Sequence, residues 1–408
     1  STSFEKQFSP EQMKQWQEKL RIFSIPSSIY ILLEKLVSRI RHLKERGWSI
    51  QIGRPWAKAG ADFLAKCLKV NLQNCFSPDL GEGDGKLFDQ SVFETFINLY
   101  WSTMLVHLDP NMTDFPIFEK VCKFLLRNML HRVTKIFADI WVTIRDGVPS
   151  GAYNTSHMDS FVMLMYFCLF SVFQIHNAPE QDREALELEF LEIVAIIVYG
   201  DDFLYRKGLG LASVYLSVHA FAAFMYKYFN VRIRDIKDGI PFCSKVKDGW
   251  IVTPGATFLK HQFIINPNTG PGQAIFLPFR ESREFLIRAI WGRIPRFRDV
   301  IDTMLSVIGH AYGTYASNMD AYNRLKILYS ELLMSIGDIE NLPDRMMARM
   351  TPDDIKKIRQ VGLTPEELVS GFPSYSTLVE KNVVDKSYQD TTVLPMDFTD
   401  ILGGGDLF

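Results

Sequence analysis

The stretch IVAIIVYGDDFLYRKG, from Ile193 to Gly208, carries an apolar run into a glycine and two adjacent aspartates. Its AIIVYG portion reads as a fully buried strand, because a short β-branched run bounded by a turn signal has few other outcomes. A strand spent on delivering Asp201 and Asp202 to a turn poses a physical question, since neighbouring carboxylates repel. A fold tolerates them best where something positive lies between them. A divalent metal ion is the usual candidate, and the rest of the chain can be searched for its other ligands.

With 408 residues, 47% hydrophobic and 13% aromatic, the chain can bury a large core or two or three packed subdomains. Its net charge of −2 excludes no nucleic-acid partner, because 45 basic residues can cluster while the average stays neutral. One such cluster runs from Arg39 to Lys69 with Trp48 and Trp56 interleaved. It fits a solvated basic helix face as well as a nucleotide or nucleic-acid surface. Five scattered cysteines without a CxxC pair argue for reduced thiols and against a zinc site or disulfide framework. The apolar stretches FVMLMYFCLFSVF and LGLASVYLSVHAFAAFMY are short or interrupted by His219, so they are expected as buried helices and not membrane spans. No signal peptide or initiator Met opens the chain, which is therefore expected to be a processed or engineered fragment.

Helical periodicity covers residues 10–20 and 28–46, the latter with Leu32, Leu33, Leu36, Ile40 and Leu43 on one face and Gly47 as a stop. It recurs at 91–106, 114–145, 158–175 and 181–194. The texture then changes: AIIVYG, VRIRDIKDG and GWIVTPGATFLKHQFII read as short strands around Gly and Pro turns. From about Arg280 to Ser370 the pattern is helical again, with TPDD and TPEE each supplying a Thr cap, a first-position Pro and early acids. The end, through DTTVLPMDFTDILGGGDLF, reads as an extended tail. The sum is an α+β chain with a few strands at its centre.

By composition alone a GDD tripeptide arises in about one in fifteen chains of this length, so it needs support. GEGDGKLFDQSVFE supplies Asp84 and, five residues later, Asp89. Asp79, five residues earlier, leaves the register open, but the FDQSV that follows favours Asp84 as the metal-facing member. DGVPSGAYNTSHMDSFVMLMYF then places the small residues Ser150 and Gly151 ahead of a long apolar helix carrying Thr155 and Asp159. Those two are four apart and share a helix face, while the small residues permit close backbone approach to an anion or sugar.

Taken in order, Asp84-x4-Asp89, then Ser150-Gly151-x3-Thr155-x3-Asp159, then Tyr199-Gly200-Asp201-Asp202, then Phe258-Leu259-Lys260, the chain resembles motifs A, B, C and E of viral RNA-dependent RNA polymerases. Upstream, EKLRIFSIP is similar to the finger motif F, with Lys19 and Arg21 as its basic pair. The resemblance spans about residues 19–262 and is nearest the picornavirus-like supergroup, on its partitivirus and picobirnavirus branch. It implies a right-hand α+β fold: partial fingers over 1–75, an antiparallel palm over 76–262 with fingers helices interleaved near 100–145, and a helical thumb and tail over 263–408.

The activity implied is attack of an RNA 3′-hydroxyl on a nucleoside triphosphate, directed by an RNA template, in the host cytoplasm or the viral particle. Asp84, Asp201 and Asp202 would hold Mg²⁺, or Mn²⁺, with Asp202 the weaker or outer ligand. Asp89, Thr155 and Asp159, with Ser150 and Gly151 at the helix entry, would bind the nucleotide and read its 2′-hydroxyl. Lys19 and Arg21 would clamp the triphosphate, and Phe258 and Lys260 would meet the primer strand. Lys237, expected in a loop after Phe229, would be the general acid for pyrophosphate.

Three departures stand out. Asp159 occupies a position where many relatives carry Asn, the strand before Asp84 is Gly-rich, and only 18 residues precede Lys19. The last suggests a fragment, or one part of a divided polymerase completed by an upstream fingers segment or a second chain. The rival readings are a non-catalytic palm subunit and a reverse transcriptase, against which the Ser-Gly-Thr helix entry argues.

Overall fold

A computed structural model of the chain describes residue 33, residues 49–52 and 56, and residues 59–382 except 87, 107–109, 112, 138–139, 145–146, 150–153, 268–269, 271, 292–298, 337–339, 353, 356–357 and 359–362. The expected helix at 10–20, Lys19, Arg21, Ser150, Gly151, all but one residue of the expected helix at 28–46, and the tail lie outside the described residues. Along the chain run β1 (Leu80–Lys86), β2 (Arg132–Phe137), β3 (Ile140–Ile144), β4 (Ala195–Tyr199), β5 (Asp202–Arg206), β6 (Arg232–Ile240), β7 (Lys245–Lys247), β8 (Trp250–Thr253), β9 (Thr257–Phe258), β10 (His261–Ile265) and β11 (Phe276–Phe279). With the helices between and after them they make the α+β chain that the sequence implies.

The chain divides into two compact units, one of Ser1–Arg46 with Leu87–Val162, the other of Gly47–Lys86 with Met163–Phe408. In the first, helices Glu94–Val106 and Phe115–Leu130 bury Ile97, Tyr100, Trp101, Cys122, Leu125 and Met129. The helix expected to continue to 145 stops at Leu130, and β2 and β3 pair as an antiparallel hairpin instead. Val133, Thr134 and Ile136, then Ile140, Val142, Thr143 and Ile144, explain the change, because β-branched residues lose χ1 freedom in a helix and fit a pleat.

In the second unit a four-stranded antiparallel sheet has the order β4-β5-β1-β6. Residues 49–51 cover its β4 edge, Val198 N–H donating to Ser49 O and Gln51 N–H to Val198 O. One face carries Leu80, Ile197 and Leu204 into a core shared with Leu64 and Leu68 of helix Gly60–Cys67 and with Phe242, Phe258, Phe263 and Phe276. The other face is aromatic: Phe203 and Tyr205 of β5 meet Phe167 and Phe221, with ring centroids 4.8 Å apart for Phe167–Tyr205 and 5.3 Å for Phe203–Phe221. Phe167 and Phe221 come from helices Thr155–Asn177 and Val218–Phe229. The first is long and apolar enough to cross a membrane, but Met163, Tyr166, Phe167 and Phe170 are buried in protein.

The Gly-rich composition of β1 follows from this packing. A Cβ on Gly81 would stand 2.2 Å from Val218 Cγ2, and one on Gly83 would stand 2.7 Å from both Phe203 Cζ and Ile233 Cγ2. The neighbouring strands and helix fill that face, so the central strand needs no side chains of its own there.

β9, β10 and β11 form a three-stranded sheet, and helices Ser282–Trp291, Val300–Tyr312, Met319–Ile336, Leu342–Met347, Pro365–Val369 and Tyr375–Asn382 follow. Their core joins Met304, Ile308, Met346 and Leu378 to Ile264, Leu277 and Phe279 of that sheet. The TPEE cap forms as expected: Glu367 N–H donates to Thr364 Oγ1 at 3.1 Å, and Thr364 N–H to Glu367 Oε2 at 2.8 Å. Helix Gly60–Cys67 shares the core of the sheet, and residue 262 lies inside β10.

Candidate active site

The β4-β5 hairpin turns on two residues, Gly200 and Asp201, between the paired Tyr199 and Asp202. Gly200 has φ +63°, so a side chain at this position would strain the turn even though a Cβ would meet nothing within 4 Å. The register of β5 on β1 sets Asp202 directly opposite Asp84, and Gly85 N–H donates to Asp201 O at 3.1 Å. Three carboxylates therefore gather at one end of the sheet, one on the central strand and two at the adjoining turn. Asp79, the other possible partner, lies beyond the opposite end of β1 and is buried on Arg206 Nε at 2.7 Å.

Burial first, and then the charge of Asp84, push the Asp201 carboxyl up to about 7, with Asp202 adding to the effect and the Asp84 side chain within hydrogen-bonding reach. Burial and Asp84 raise Asp202 to about 6, against the pull of Arg234 and Lys260. Arg234, opposite Asp84 on β6, is the counter-charge: its Nε donates to Asp84 Oδ2 at 2.5 Å and its Nη2 forms an ion pair with the same oxygen. Among the described residues no three His, Cys, Asp or Glu side chains stand as a ready-made metal cage. The donor set nevertheless fits a hard dication: three carboxylates, oxygen only, with Asp201 and Asp202 disfavoured as anions by burial and by Asp84 until positive charge is supplied.

Around these acids the remaining expected residues divide. Lys260 is exposed at the tip of the β9-β10 hairpin, close enough for its charge to act on Asp202. Phe258, expected beside the primer strand, is 2% exposed and packs on the core beneath the hairpin. Lys237 is also corrected in place. It lies within strand β6, not in a loop, and its Nζ donates to Glu82 Oε1 at 2.5 Å. Only the Glu82 end of this ion pair is buried; the Lys237 side chain keeps an exposed flank.

Asp89, Thr155 and Asp159 belong to the first unit. There Val148 N–H donates to the Asp89 carbonyl and Gly147 N–H to Val92 O at 2.8 Å, lacing the segment before the long helix to the short helix Phe88–Ser91. Gly147 permits this approach, since at φ +77° a Cβ would stand 3.0 Å from Asp89 O. Thr155 opens the long helix with its Oγ1 donating to Pro149 O at 2.6 Å, and Asp159, one turn on, is buried. Sequence reasoning missed Glu82 and Arg234. Their only signal is alternation, Glu82 two residues before Asp84 and Arg234 within the strand-like RIRDIK.

No curated protein matches the chain. Among solved structures, the Sicinivirus 3Dpol RNA dependent RNA polymerase is similar at 15% identity and a TM-score of 0.47, over 75% of this chain and 57% of that one. This chain thus spans little more than half the length of that relative. The acids on β1 and at the β4-β5 turn fall within residues 42–264, the stretch that matches the profile of the viral RNA-dependent RNA polymerases, and the chain belongs to that family.

Proposed function

We propose that the chain adds ribonucleotides to the 3′ end of an RNA strand under the direction of an RNA template. The observation that carries this reading is the register that puts Asp202 opposite Asp84 with Asp201 at the intervening turn. Asp84, Asp201 and Asp202 would hold Mg²⁺, and Mn²⁺ suits the same donors. Bound there, two such ions would supply a lowered pKa for the attacking hydroxyl and charge neutralisation for the transferred phosphoryl group and leaving pyrophosphate.

The chain's own groups do the rest. Arg234 orients Asp84 and offsets the excess negative charge of the acids. Lys260 offers an exposed ammonium to a phosphate of the nascent strand. Asp89, Thr155 and Asp159 would read the 2′-hydroxyl, Ser150 and Gly151 would admit the nucleotide at the helix entry, and Lys19 and Arg21 would hold the triphosphate. Their roles rest on the family resemblance.

Primer extension on RNA templates with ribo- and deoxyribonucleotides tests the proposal. Extension with ribonucleotides supports it. Extension with deoxyribonucleotides alone would make the chain a reverse transcriptase, and none with either would make it a non-catalytic subunit.

A further inference from the structure

One buried carboxylate in the second unit ties three elements together and takes no part in the proposed metal set. Glu82 stands two residues before Asp84, on the same face of β1, and is 6% exposed. Its Oε1 accepts from Lys237 Nζ of β6 at 2.5 Å, and its Oε2 accepts from the Thr257 backbone amide of β9 at 2.5 Å. Lys237 Nζ also donates to Thr257 Oγ1 at 3.3 Å.

The route of β6 makes this contact possible. Glu82 and Asp84 pair with Lys237 and Arg234, which are three residues apart, and a register shift between the two pairs takes up the extra residue. Asp235, in that stretch, adopts φ +51°. A bulge of this kind brings both cations to the acid-bearing face, where a regular strand would turn one of them away.

Two residues beyond Thr257 comes the hairpin turn Leu259–Lys260, with φ +49° and +64°. Side-chain-bearing residues adopt that conformation where their surroundings impose it. Here the impositions are visible: Phe258 is sunk in the core, Arg280 Nε donates to Lys260 O at 3.1 Å, and Glu82 grips Thr257.

We propose that Glu82 is a positioning residue: with Lys237 as its counter-ion it clamps the β9-β10 hairpin to the strand of Asp84, and so sets where Lys260 meets the nascent RNA phosphate relative to the catalytic acids. The second half of this statement rests on the polymerase reading above. The chemistry explains the residue type. Both partners of Glu82 are donors, so a glutamine there can satisfy one and must turn its own amide N–H against the other. Lys237 in this arrangement balances charge and does not transfer a proton.

The test compares Glu82→Gln, Lys237→Met and the double variant in the full chain, with Glu82→Asp as a milder change should the first fail to fold. Hydrogen exchange of residues 257–261 needs no RNA, nucleotide or metal, and Glu82→Gln is expected to speed it about tenfold. In primer extension each single variant should raise KM for primer–template about five- to tenfold, with kcat at saturating RNA held within about twofold. The double variant should be no worse than the worse single, because the glutamine then faces only one donor. Unchanged exchange at 257–261 in a folded Glu82 variant overturns the clamp. So does Lys237→Met that loses kcat with KM intact, the signature of direct participation. A wild-type chain that extends no primer overturns the polymerase reading and the role on RNA, while exchange still decides the clamp.

Discussion

Asp201 is a residue the metal-free fold would be better without. Its carboxyl is pushed up to about 7 by burial and by Asp84, against 3.8 for the free side chain. A raised acid pKa means the folded state binds its proton more tightly than the unfolded state does. Stability is therefore undiminished below about pH 4, falls as pH rises toward 7, and stays reduced above it. Asp201→Asn removes that penalty. In denaturant unfolding without metal at pH 8 it should stabilise the chain by about 1–2 kcal/mol, less than the full shift because the group is partly solvated and screened, and the gain should vanish near pH 4. The same substitution should abolish nucleotide addition, and near-normal extension would remove Asp201 from the metal set. Asp89 makes the complementary case. If it reads the 2′-hydroxyl, Asp89→Ala should cut discrimination against deoxynucleotides by about 1–3 kcal/mol in the ratio of kcat/KM for ATP and dATP. Lower rates with an unchanged ratio would make it structural.

Among the elements, β1 shows why part of the fold was hard to read. LGEGDGK lacks the apolar alternation of a central strand because its neighbours provide the packing: Phe203, Ile233 and Val218 occupy the space that Cβ atoms on its glycines would need. Propensity counts a strand's own side chains and is blind to such a partner. Gly83→Ala should therefore destabilise by about 1–3 kcal/mol through overpacking, seen as a lower urea midpoint, and Phe203→Leu in the same chain should recover part of the loss. The acids of the candidate site were legible because Asp84 and the Asp201–Asp202 pair each stand in a short motif next to glycine. Glu82 and Arg234 were not, because their partners depend on the register and bulge between β1 and β6, which the hydrophobic pattern does not specify. Phe258 shows the same limit: the FLK triplet names three adjacent residues, and only the turn at Leu259–Lys260 decides that Phe258 ends its strand in the core while Lys260 faces solvent.

At the scale of the molecule, the three acids belong to one unit while Asp89, Thr155 and Asp159 belong to the other, and the chain passes between the units after Lys86 and again within helix Thr155–Asn177. Metal binding should therefore register as a gain in stability of the unit built on the four-stranded sheet. A ligand that binds only the folded state stabilises by RT ln(1 + [L]/Kd), about 2.7 kcal/mol at a hundredfold excess over Kd. Protons compete for the same oxygens, since a carboxylate must be ionised to bind a cation. With Asp201 at about 7 and Asp202 at about 6, the apparent affinity should be full above pH 7.5 and fall steeply below pH 6. Without metal the thermal midpoint should decline as pH rises from 5 to 8, because both acids are being ionised at a cost. With saturating Mg²⁺ that decline should flatten or reverse, because the charge that was a penalty becomes the ligand. Scanning calorimetry across this range, with and without Mg²⁺, reads the difference directly. Asp84→Asn should remove the metal-dependent part while leaving a folded protein. A midpoint that responds to Mg²⁺ equally at pH 5 and pH 8, or equally in the Asp84 variant, would place the metal elsewhere than on these carboxylates.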